Sequence, residues 1–150
     1  ITVTKKKNDS CKFSYIDQSS KFIDSLPELK GYLFDKGFYS KKLSENEVIK
    51  IDRFGCNEFY METKITTNKE IQFSEEFVIN KINRILDLLP NEYETELIKS
   101  AIKNKELSFY EQAENRIFSK FKNEQLDDLI TVFYHLESDK TSVSLNMFRY

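Results

Sequence analysis

The chain carries no tryptophan, one histidine, two cysteines, two prolines and three glycines in 150 residues. Each scarcity closes off a chemistry. Three glycines, at 31, 37 and 55, cannot furnish a GxGxxG turn or a P-loop phosphate cradle. Cys11 and Cys56 are far apart with no CxxC, so there is neither a disulfide framework nor a zinc spacing. Two thiols in a cytosolic chain is the expected state, with a single bridge between them left open. Few glycines and prolines argue against a loop-dominated or collagen-like chain. No apolar run approaches ~20 residues, so no transmembrane helix is expected. The sequence begins at Ile1 with no apolar signal region. A cytoplasmic protein without membrane contact is therefore expected.

What is present is a core. Hydrophobic residues make up 39% and aromatics 14%, the latter 13 Phe and 8 Tyr. That is enough for one folded domain spanning 1–150. The formal charge is −2, without the basic excess of a dedicated nucleic-acid binder. Net charge does not report local patches.

Patterning divides the domain into a β-rich part, 1–74, and a mostly helical part, 75–150. "ITVT" and "KFSYI" read as strands. "SLPELKGYLFDKG" reads as a helix, with Pro27 in its first turn and Gly37 beyond its end. Val48–Phe54, Glu58–Thr66 and Glu70–Ser74 read as strands of an antiparallel meander, because the links are too short for parallel crossovers. In the second, Phe59, Met61, Thr63 and Ile65 alternate with Glu58, Tyr60, Glu62 and Lys64. Ser74 is a candidate N-cap for a helix whose stripe is Val78, Ile82, Ile85 and Leu89. Asn91 with Glu94, and Ser108 with Glu111, resemble capping boxes for two further helices. Tyr110, Ala113, Ile117 and Phe121 share the second helix's register. Asn123 would cap a last helix, "EQLDDLITVFYHLE", before a final edge strand carrying Val143, Leu145 and Met147. The expectation is an α+β domain: a three-stranded antiparallel meander, one N-terminal helix, about four C-terminal helices and a C-terminal edge strand.

On that last helix His135 falls opposite the apolar stripe Leu126, Leu129, Ile130, Phe133 and Leu136. It has no ligand partner at helical spacing, and no GxSxG elbow supplies a nucleophile. It reads as a solvated histidine. The acidic clusters Glu75–Glu76 and Asp127–Asp128 sit at helix starts, where they favour the positive end of the dipole.

One constellation can carry chemistry. Glu62 and Lys64 lie on the polar side of their strand, and hairpin pairing can bring Asp52 beside Glu62. Two carboxylates can hold Mg²⁺ through oxygen, and a neighbouring lysine can orient or deprotonate a water. With Asp52 followed by Glu62-Thr63-Lys64 in a helix–three strands–helix setting, the segment Leu26–Leu89 resembles the PD-(D/E)xK nuclease core of Holliday-junction-resolvase type. The resemblance implies Asp52 and Glu62 as metal ligands for Mg²⁺ or Mn²⁺, Lys64 as the catalytic lysine and Glu28 as a further acid.

The leading expectation is different: a small protein-binding or inhibitory protein, of the toxin-neutralising immunity type, with another protein as partner and no cofactor. Its size and its acidic, aromatic-rich composition support this by analogy. Tyr32, Tyr39 and Tyr60 are candidate anchors, since tyrosine supplies contact area at interfaces. A metal-dependent nuclease acting on nucleic acid is the alternative.

Overall fold

The computed structural model describes residues 33–35, 38–55, 59–89 and 94–149. Alternating burial decides the architecture. In strand β4 (Phe59–Thr67), Met61, Thr63 and Ile65 are buried while Glu62 and Lys64 point the other way. Strand β3 (Glu47–Gly55) repeats this, with Ile49 and Ile51 in the core and Lys50 and Asp52 on the opposite side. Strands β2 (Phe38–Lys42) and β1 (Leu33–Asp35) extend the meander outward.

The chain then leaves the sheet. Residues 69–73 form a strap held by side chains rather than a strand. Thr141 Oγ1 accepts from the Ile71 amide at 2.8 Å and donates to the Lys69 carbonyl at 2.7 Å. The Tyr134 hydroxyl donates to the Ile71 carbonyl. Phe73 packs edge-on against Tyr134 and Phe109, at 5.3 and 5.6 Å between ring centres. Helix α1 (Glu75–Leu88) starts at Ser74, whose Oγ accepts from the Phe77 amide at 3.1 Å. Its Val78, Ile82 and Ile85 are fully buried against β4 and the later strand Thr141–Arg149. Helix α2 (Thr95–Lys103) adds Ile98 and Ala101 to the same core.

Four more strands follow: β5 (Leu107–Ala113), β6 (Arg116–Phe121), β7 (Ile130–Leu136) and β8 (Thr141–Arg149), with the short helix α3 (Glu124–Leu129) between β6 and β7. The order across the sheet is β1-β2-β3-β4-β8-β7-β6-β5, with every neighbouring pair antiparallel. Two four-stranded meanders thus meet at the β4–β8 seam. The α1–α2 connection carries the chain from the centre of the sheet to its far edge.

This overturns the expected three-stranded meander with about four C-terminal helices. The segment 75–150, expected to be mostly helical, supplies half of the sheet. "FYEQAENRIFSKF" is not a helix. It is the β5–β6 hairpin, turned at Asn115, whose φ of 60° is the left-handed conformation that asparagine tolerates. "EQLDDLITVFYHLE" is helical only to Leu129, then becomes β7, where Ile130, Val132 and Tyr134 are buried. β-branched and aromatic side chains fit a pleated, half-buried surface better than a helix. The expected edge strand, β8, lies at the centre, paired on both sides. The Glu70–Ser74 strand is the strap described above. Leu33–Asp35, read as part of the first helix, is strand. The rest of that helix, the two N-terminal strands, both cysteines and Asn91 lie outside the described residues.

Candidate functional site

Because the hydrophobic core positions of β3, β4, β7 and β8 face the helices, their alternate positions fall together on the other face. Register places them in rows. One row runs Phe38, Asp52, Glu62, Asn146, Thr131. The next runs Lys50, Lys64, Ser144, Phe133, Phe118, Tyr110. A third brings Ser142, His135 and Arg116 side by side.

A depression of about 350 Å³ opens where the two meanders meet. β4 lines it with Tyr60, Glu62 and Lys64, and β8 with Ser142, Ser144, Asn146 and Phe148. Arg116, Phe133 and His135 complete the wall. Lys64 Nζ lies 3.6 Å from Glu62 Oε1, and the Tyr60 hydroxyl donates to Glu62 Oε2 at 3.5 Å. The Tyr60 ring tilts against Phe148, 4.9 Å between centres. The Arg116 guanidinium sits over the Phe133 ring at 5.8 Å. His135 Nδ1 is 3.5 Å from Glu137 Oε1.

Electrostatics mark the acidic end of the depression. Partial burial, then the facing Glu62 carboxylate, raise the Asp52 pKa above its ordinary value, with Lys64 partly offsetting them. The Tyr60 hydroxyl is pushed up to about 12 by burial, then by the negative charges of Glu62 and Asp52 and its hydrogen bond to Glu62. Asn146 is only 6% exposed, and its Oδ1 has no hydrogen-bond partner among the described residues. An acceptor in that state costs free energy until a donor or cation reaches it.

Asp52, Glu62 and Lys64 are therefore brought together as the sequence suggested. Asp52, Glu62 and Asn146 are three oxygen-bearing side chains from adjacent strands in one row. Among the described residues no group of three or more His, Cys, Asp or Glu could hold a metal. Tyr60 is at the site. Tyr39 is not: it is 2% exposed and belongs to the core, because its strand position pairs with buried Ile51. Tyr32 and Glu28 lie outside the described residues. His135 is on a strand rather than a helix, and it lines the depression. Arg116, His135 and Asn146 were missed because 52 or more residues separate them from Lys64 in the chain. The alternation of β8, Val143-Leu145-Met147 against Ser144-Asn146, was the one local signal for Asn146.

No protein-family model matches the chain, and neither a curated protein nor a solved structure matches it significantly. No helix among the described residues is long and apolar enough to cross a membrane.

Proposed function

We propose that this chain is a binding protein of inhibitory type, and that the sheet face opposite the helices docks another protein. The observation that carries this reading is what that face displays. Tyr60, Phe148, Phe133 and Arg116 surround a polar depression, and Phe38, on the same face, is 48% exposed. Aromatic rings and arginine dominate the energetics of protein interfaces. The Arg116–Phe133 and Tyr60–Phe148 contacts hold these side chains in place before a partner arrives, which lowers the entropic cost of docking. The unpartnered Asn146 oxygen waits for an incoming donor. Asp52, Glu62 and Lys64 then select the partner by charge.

A second reading rests on the Asp52–Glu62–Asn146 row. With Mg²⁺ or Mn²⁺ held there and Lys64 beside it, the same depression would serve a phosphodiesterase of nuclease type. A cleavage assay on duplex, single-stranded and branched DNA and on RNA, with either metal, separates the two. The binding reading expects no cleavage by pure protein. Metal-dependent cleavage that Glu62→Ala abolishes would replace it with the nuclease.

A further inference from the structure

A second surface on the same face lies towards the sheet edge and shares only Phe133 and Arg116 with the central depression. Phe133, Phe118 and Tyr110 stand directly opposite one another on β7, β6 and β5, a row of three rings across three neighbouring strands. The Tyr110 and Phe118 rings are 5.9 Å apart, and Tyr110 is 48% exposed. Cations flank the row. Arg116 lies over Phe133, and Lys120 Nζ lies 5.4 Å from the Tyr110 ring and 6.0 Å from Phe118. Tyr110 also lines a second depression of about 350 Å³, together with Ser108, Lys105, Lys120 and Lys122, with Glu106 its one acid.

The charge of this band opposes that of the chain. The protein as a whole is at −2, and acids stand in the first turns of the helices at Glu75, Glu76, Glu96 and Asp127. The band from Phe133 to the edge carries Arg116, Lys105, Lys120 and Lys122, with Glu106 in its depression and Glu111 and Glu114 towards the hairpin tip.

We infer that the β5–β6–β7 face is a stacking platform for single-stranded nucleic acid. Every base has a π-face that can lie on an exposed ring, and a row of rings on a sheet offers successive bases successive places. Arg116, Lys120 and Lys122 stand where phosphates of such a strand would run, and the lysine-lined depression receives its end. A duplex keeps its bases stacked on one another and cannot use the rings. This inference goes beyond the protein-docking reading, and it requires no cleavage.

The test is fluorescence anisotropy with labelled oligo(dT) and oligo(rU) and with a duplex of equal length. The expected result is binding of the single strands in preference to the duplex. Tyr110→Ala weakens it roughly tenfold, within the range for loss of one stacked base, and Tyr110→Phe retains it. Lys120→Gln weakens it and flattens the salt dependence, which starts near a log–log slope of about −2 for three neutralised phosphates on a single strand. Tyr110 and Lys120 are exposed, so these variants keep their fold, which the melting curve verifies. No binding by the wild type overturns the inference. So does binding that is indifferent to Tyr110→Ala, or equal for duplex and single strand. Capture of an acidic protein through Tyr110 and Lys120, with oligonucleotides ignored, also overturns it. Failure of this assay leaves protein docking at the central depression standing, because Tyr60, Phe148 and Asn146 there take no part in the row of rings or its lysines.

Discussion

Asp52→Asn should stabilise the protein at neutral pH and do nothing in acid. Asp52 and Glu62 are direct cross-strand partners, with side chains on the same face. Burial and this repulsion hold the Asp52 pKa above its unfolded value, so ionising it costs more in the folded state than in the unfolded one. Between the unfolded and the folded pKa the native state binds more protons. Stability therefore falls as pH rises through that window, and the penalty is fully present above it. Asparagine keeps the shape and removes the charge. A like-charge pair placed directly opposite costs on the order of 0.2–1 kcal/mol, and Lys64 offsets part of it. For a chain of this size that amounts to an increase of roughly 1–3 °C in Tm. Melting curves followed by circular dichroism at pH 7 and pH 3 measure it. A gain at pH 7 that disappears at pH 3 supports the reasoning. An equal gain at both pH values, or a loss at pH 7, refutes it.

Other consequences follow from the same geometry. A spectrophotometric titration should show a tyrosine ionising at about 12, lost in Tyr60→Phe. Ile82→Ala removes a fully buried side chain from the α1–sheet contact and should cost about 2–5 kcal/mol in denaturant unfolding. Ser119→Ala should cost about 1–3 kcal/mol, because the Ser119 hydroxyl accepts from the Val132 amide at 2.9 Å and would leave it buried and unpaired. Thr141→Val releases two of the strap's three side-chain hydrogen bonds, so amide exchange at Ile71 should accelerate before global unfolding does.

The β3–β4 hairpin was readable because its two periods do not compete, whereas β1 was read as helix and Glu70–Ser74 as a strand. In Glu58–Thr66 the alternation is clean over nine residues, and no helical stripe fits them. Ser74 and the Val78-Ile82-Ile85 stripe were equally unambiguous. The second meander was not. In 109–121 the spacing Tyr110-Ala113-Ile117-Phe121 imitates a helix face, while the true core positions are Phe109, Ile117, Ser119 and Phe121 on two strands. In 126–136 apolar residues are dense enough to satisfy both periods, and the β-branched Ile130-Thr131-Val132 run was the signal that mattered. The site divides in the same way. Asp52, Glu62 and Lys64 are joined by one hairpin and were visible. Asn146, His135 and Arg116 join them only because β8 enters the sheet beside β4, a long-range pairing that no local pattern encodes.

The central claim is that the sheet face opposite the helices is the working surface. The direct measurement is site-specific photo-crosslinking in the cells that make the protein, with a photoreactive phenylalanine placed at position 60 or 38 on that face, or at 84 on the exposed side of α1 as control. The account expects one discrete protein adduct from positions 60 and 38 that Arg116→Glu removes, and none from position 84. An adduct from α1 with none from the sheet face would contradict it.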